Sequence, residues 1–126
     1  MKEIIAILQM NAMNRTKRAL AEAGITSMTA KEALGNGSGI IDNAILNGAE
    51  EGFEEAIDLL GKRPRLYPKR VMFIVVPDNL KELVVKTIIK ANRVSVSGCG
   101  KIFVLPMLEA IRIRTGEDSD KVLDEA

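Results

Sequence analysis

VMFIVVPDNLKELVVKTIIKA, residues 71–91, changes its periodicity at a proline. Before Pro77 stand six consecutive apolar residues, four of them β-branched, which is the pattern of a strand buried on both faces. After it, Leu80, Leu83, Val84, Thr87, Ile88 and Ala91 recur at helical spacing, and Asp78 or Asn79 is placed to cap that helix. A second short apolar run at Lys101–Leu105 reads as the next strand, so this half of the chain is strand, helix, strand. The first half has the same order. Residues 2–10 carry Ile4, Ile5, Ile7 and Leu8 in one run and predict a strand. Asn14–Ala23 is rich in helix formers and stops at Gly24, and residues 25–34 alternate weakly as a second strand. Two such units predict an α+β fold, the ferredoxin-like βαββαβ arrangement.

Length and composition make this one domain, residues 1–126, with 47% hydrophobic residues to build a core. Eighteen basic and 17 acidic residues nearly cancel, so no overall field draws the chain to nucleic acid or an anionic membrane. Three Phe and one Tyr are too few for a surface that stacks unpaired bases. The opening MKEIIAILQM is apolar only briefly and shows neither a span-length run nor a cleavage signature, which predicts a cytoplasmic protein without stable membrane insertion. With no histidine and a single cysteine, Cys99, the sequence offers no metal-ligand cluster, no internal disulfide and no imidazole to activate the thiol.

Strands apolar at consecutive positions need cover on both faces, yet both helices of the predicted fold lie on one. The expected cover for the other is a second copy of the same sheet in a closed ring; the alternative is that the C-terminal segment folds back over it.

More than thirty residues separate Gly35 from Lys69, where a hairpin needs about two to five. This excursion opens with GNGSG, residues 35–39, which lacks the order of a P-loop. Its middle, EEGFEEAIDLLGK at 50–62, places Phe53, Ala56, Ile57 and Leu60 on one helical stripe, to pack on its own domain or to dock on a partner. Lys62, Arg63, Arg65, Lys69 and Arg70 form a basic cluster at its end.

GCGKIFVLPMLEAIRIRTGE, residues 98–117, carries the chemistry. On a strand, Arg112 and Arg114 would point to one face, and two neighbouring guanidiniums suit the oxygens of a phosphate, with Lys101 adding a point charge. Gly98 and Gly100 would let backbone N–H groups face the same anion. The plainer alternative is that both arginines pair with surface acids. No general base stands beside Lys101 to activate water.

The chain resembles the PII nitrogen-regulatory signalling proteins along almost its full length, through KRALAEAGITSMTAKEALGNG, VPDNLKELVVKTIIKA and GKIFVLPMLEAIRIRTGE. The resemblance implies a trimeric ring, ATP or ADP in clefts between subunits, and a long T-loop, here about residues 36–68, that touches target proteins. By matching positions, Thr29, Gly35, Gly37 and Val75 would line the adenosine end. Ser38, Gly98, Cys99, Gly100, Lys101, Arg112 and Arg114 would serve the phosphates. Ser38, Gly39, Lys69 and Gly98 would meet 2-oxoglutarate, which in the family binds with Mg beside ATP. There are departures. Gly39 stands where the family has a magnesium-coordinating glutamine, Phe73 replaces an acid, the usual TGKIGDGK reads VSVSGCGK, and no tyrosine lies mid-loop for uridylylation. This divergence resembles the archaeal and anaerobe branch that regulates nitrogenase, acting as a homotrimer or a mixed assembly with a PII paralogue. It implies a non-enzymatic sensor whose target contact is Phe53, Ile57 and Leu60. The alternatives are a regulator of glutamine synthetase or an ammonium transporter and, more remotely, a small trimeric nucleotide-hydrolysing enzyme.

Overall fold

Period-two burial along the central strands sets the architecture: Ile4, Ala6 and Leu8 of one strand and Met72, Ile74 and Val76 of the other are sealed, while the residues between them are only half-covered. The structure, a computed structural model, describes residues 1–35, 66–93 and 100–123. Its elements are β1 (Lys2–Gln9), α1 (Met13–Glu22), β2 (Thr29–Gly35), β3 (Tyr67–Val76), α2 (Lys81–Asn92) and β4 (Gly100–Pro106), with short 3-10 turns at Met10–Ala12, Asp78–Leu80 and Asp120–Val122. The strands form one antiparallel sheet in the order β2-β3-β1-β4, which is the ferredoxin-like α+β arrangement.

The helices cover one face of that sheet, where Leu20 of α1, Val84 and Ile88 of α2, and Ile25 join the sealed strand residues in a single core. Gly24, at φ 89, ends the first helix as expected, and the N–H of Ile25 donates to Leu20 O at 2.8 Å to close its last turn. In α2 the buried stripe is Val84, Ile88 and Asn92, four residues apart, while Leu83 lies on the outer side. Burying Asn92 requires partners, and Thr16 of α1 supplies one. The Thr16 hydroxyl donates to Ala12 O at 2.7 Å, so it accepts from Asn92 Nδ2 at 3.0 Å, and the same nitrogen donates to Ile88 O at 2.8 Å. Arg15 Nε donates to Ala91 O at 2.7 Å and pins the end of α2 to α1.

Three sequence expectations change. The predicted cap on α2 is absent: neither Asp78 nor Asn79 caps it through a side chain. Asp78 instead pairs with the Met1 ammonium at 3.2 Å and Lys2 Nζ at 3.7 Å, two charges that attract it more than backbone N–H groups do. The second strand begins at Thr29 rather than residue 25, because Ile25 is drawn into the helix-side core. The third strand starts at Tyr67, earlier than its apolar run, since its polar first residues pair with β2 out to Gly35–Tyr67.

Candidate functional site

The face away from the helices is where the expected site residues collect. Rows of paired residues cross it: Val75, Glu3 and Leu105; Thr29, Phe73, Ile5 and Phe103; Lys31, Val71, Ile7 and Lys101; Ala33, Lys69 and Gln9; and Gly35 with Tyr67. Its centre is apolar and has no helical cover among the described residues, and Phe103 and Leu105 are 45% and 41% exposed. The C-terminal segment does not offer its apolar residues to this chain's core either, because Leu108 and Ile113 are 92% and 101% exposed.

Lys101 follows directly on a glycine that the backbone requires. Gly100 has φ 121, and a Cβ there would lie 2.1 Å from the Ile7 carbonyl oxygen, so only glycine lets β4 begin this close to β1. That close approach fixes Lys101 opposite Ile7 with its side chain exposed. At the other side of the sheet, Lys69, a member of the basic cluster, is 8% exposed. Its aliphatic chain runs past Gly35, where an added Cβ would meet Lys69 Cδ at 3.2 Å, and it makes no ion pair among the described residues. Its neighbour Arg70 pairs with Glu32 across the β2–β3 ladder at 3.1 Å, holding the two strands in register where the excursion leaves them.

The arginines are not on a strand. Residues 107–112 are irregular and 113–115 form a turn, so Arg112 and Arg114 do not share a strand face as the IRIR alternation suggested. Strand pairing needs a partner strand, and the chain instead closes on itself: Arg112 N–H donates to Glu117 O at 2.8 Å and Gly116 N–H to Arg112 O at 2.7 Å. The Arg112 guanidinium donates from Nη1 to Glu117 Oε2 at 2.9 Å. Pairing with a surface acid therefore holds for Arg112, while Arg114 has no such partner among the described residues.

One copy of the chain does not gather the described members of this set around one ligand. Lys101 is on the β4 edge and Thr29 on the β2 edge, three strand spacings or roughly 14 Å apart. Thr29 and Gly35 stand at opposite ends of β2, and Met107, bonded to Met1 O at 3.1 Å, takes the chain away from the sheet end opposite Lys101. Gly37, Ser38, Gly39, Phe53, Ile57, Leu60, Gly98 and Cys99 lie outside the described residues. Sequence reasoning missed Glu117 as the holder of Arg112; its signal was an acid five positions on, across a glycine that permits the turn. Among the described residues no group of three or more His, Cys, Asp or Glu side chains is placed to hold a metal.

A groove of about 470 Å³ lies on the helix side between α2 and β4. Val85, Ile88, Ile89, Ile102 and Val104 make it mainly apolar, with Arg93, Gly100 and Lys101 also on its lining.

Fold and geometry together define an α+β domain whose expected site residues, where described, are divided between the two edges of its sheet. The family described as Nitrogen regulatory protein P-II matches residues 1–117, and the chain belongs to it. PII proteins are signal transducers rather than enzymes. A relative from Methanobacterium ivanovii, Nitrogen fixation nifHD region GlnB-like protein 2, is 41% identical over 98% of this chain and 99% of its own. Nitrogen regulatory protein P-II 1 of Escherichia coli K12 is 38% identical over 98% of this chain and all of its own (100%). Arabidopsis thaliana PII, solved bound to citrate, superposes with a TM-score of 0.71 at 28% identity, covering 99% of this chain and 91% of that one. Among the described residues no helix is long and apolar enough to cross a membrane.

Proposed function

We propose that this chain is a cytoplasmic PII sensor that binds ATP or ADP between the subunits of a trimeric ring and passes the state of that site to a nitrogen-metabolism enzyme, nitrogenase before others. The observation that carries the nucleotide reading is the division of the site. Lys101 stands on the β4 edge and Thr29 on the β2 edge, the chain carries Arg112 away from the sheet end opposite Lys101, and the apolar face between the edges has no helical cover among the described residues. A closed ring puts the β4 edge of one copy beside the β2 edge of the next and covers the apolar face in the same step. Thr29, Gly35, Gly37 and Val75 then serve the adenosine, and Ser38, Gly98, Cys99, Gly100, Lys101, Arg112 and Arg114 the phosphates. A fixed backbone at Gly100 and the exposed Lys101 and Arg114, which pair with no acid among the described residues, suit such an anion.

Lys69, nine-tenths buried at the root of the excursion, supports a second ligand. Its ammonium would meet a carboxylate of 2-oxoglutarate, with Ser38, Gly39 and Gly98 as the other expected effector residues and Mg present when the effector binds beside the nucleotide. The T-loop of about residues 36–68 would take one of two arrangements according to those ligands and meet its target through Phe53, Ile57 and Leu60. Nitrogenase is favoured because the Methanobacterium relative is named for the nitrogen fixation region.

The experiment is calorimetry of ATP binding to the parent, Lys101→Ala and Arg112→Ala. Each variant is expected to weaken binding by roughly 1.5–3 kcal/mol, the contribution of a hydrogen bond to a charged group. Parent-like binding by both would refute the phosphate assignment.

A further inference from the structure

The two arginines assigned to phosphate are held differently, and the difference points to a residue outside that assignment. Arg112 is caged by its own loop. Its N–H and C=O are both bonded, to Glu117 O at 2.8 Å and from Gly116 N–H at 2.7 Å, and Gly116 takes φ 74 to make that possible. The Glu117 N–H donates to Thr115 Oγ1 at 3.2 Å, which fixes the residue that carries the carboxylate. From there the carboxylate accepts only from Nη1, at 2.9 Å, and Nη2 reaches Lys121 O at 3.4 Å. The contact is one-pronged. Nε and the outer N–H groups of the fork stay available, and the arginine side chain remains 40% exposed. Arg114, two residues on, has no equivalent restraint among the described residues.

We propose that Glu117 is a positioning residue for nucleotide phosphate: it restrains the Arg112 guanidinium before the ligand arrives and leaves the outward edge of the fork for phosphate oxygens. This rests on the nucleotide reading of Arg112. Two effects oppose each other here. A carboxylate close to an anion site repels the anion, but both groups are exposed, and the high dielectric of the surrounding water keeps interactions between exposed charges weak. A free arginine, by contrast, loses most of its rotamer freedom on binding. With the pair half in water, the restraint outweighs the repulsion.

Calorimetry with ATP on the parent, Glu117→Ala, Glu117→Gln, Arg112→Ala and the Glu117→Ala/Arg112→Ala double variant tests this. Glu117→Ala is expected to weaken ATP binding roughly two- to tenfold, the range for one side chain that must be ordered on binding. Glu117→Gln keeps an acceptor for Nη1 and recovers part of the loss. In the Arg112→Ala background the Glu117→Ala change has no further effect, which a general loosening of the loop would not reproduce. The inference is overturned if Glu117→Ala binds ATP as the parent does or more tightly, or if its loss persists without Arg112. A parent that does not bind ATP overturns the nucleotide reading itself and this inference with it, whereas a parent that binds while Glu117 has no effect overturns this inference alone.

Discussion

Replacing Gly100 with alanine tests whether the start of β4 holds the cationic edge in place. The added Cβ would lie 2.1 Å from the Ile7 carbonyl oxygen and 3.2 Å from its carbon, both main-chain atoms of the central strand that cannot rotate aside. The backbone there also has φ 121, which a non-glycine residue occupies at a cost of about 1–3 kcal/mol. Escaping the clash means lifting Gly100 away from Leu8, its partner in the ladder, and giving up the bonding at that end, about 1 kcal/mol for each hydrogen bond lost. The sum is a destabilisation of roughly 2–4 kcal/mol. Unfolding entropy near 2.1 cal/mol/K per residue makes 1 kcal/mol about 4 °C for a chain of this length, so the melting temperature should fall by roughly 8–16 °C. Thermal unfolding by circular dichroism, with protein concentration held constant because association adds its own stability, reads this directly. Gly116→Ala is the control. Gly116 also has positive φ, 74, but an added Cβ meets nothing within 4 Å, so the cost is the left-handed conformation alone, about 1 kcal/mol. If Gly100→Ala melted within the range of Gly116→Ala and bound ATP as the parent does, the close approach would not be what fixes β4 and Lys101.

Two further outcomes are expected. The Asp78 carboxyl is held below its ordinary 3.8, first by its hydrogen bond with the Met1 ammonium and then by the charge of Lys2. A depressed carboxylate pKa stabilises the fold above the unfolded value and loses that contribution as pH falls through the folded one, so Asp78→Asn should melt below the parent at pH 7 and the gap should close below about pH 4; a gap unchanged at pH 3 would refute it. Changing Phe53 and Ile57 together to Ser should leave the trimer and ATP affinity intact while abolishing regulation of the target enzyme in an activity assay, and loss of the trimer would show the stripe to be core.

Elements whose signal is local were legible in the sequence. VMFIVV and the Ile4–Leu8 run became the paired central strands β3 and β1, and Gly24 stopped its helix, because continuous apolar runs and a glycine of positive φ carry their meaning within a few residues. What failed depends on partners distant in the chain. Asp78 stands in a good capping position, but the Met1 ammonium, seventy-seven residues earlier by position, takes it. IRIR alternates like a strand, yet no neighbouring strand pairs with it, and Gly116 with Glu117 folds it into a turn. Asn92 continues the buried stripe of α2 only because the Thr16 hydroxyl lies opposite on α1. Candidate site residues could be named from the sequence, but the division of Thr29 and Lys101 between two edges of the sheet could not, since it follows from strand order rather than from spacing.

The central claim, that the nucleotide lies between copies, is tested most directly by complementation. Lys101→Ala and Arg112→Ala chains carrying different affinity tags are co-expressed, trimers holding both are purified through both tags, and ATP binding is measured by calorimetry. In a three-membered ring with head-to-tail contacts, every mixed trimer contains one interface where an intact Lys101 faces an intact Arg112, so about one site in three should regain parent affinity. If Lys101 and Arg112 of the same chain bind the phosphates, no site in the mixed trimers recovers, and the account is contradicted.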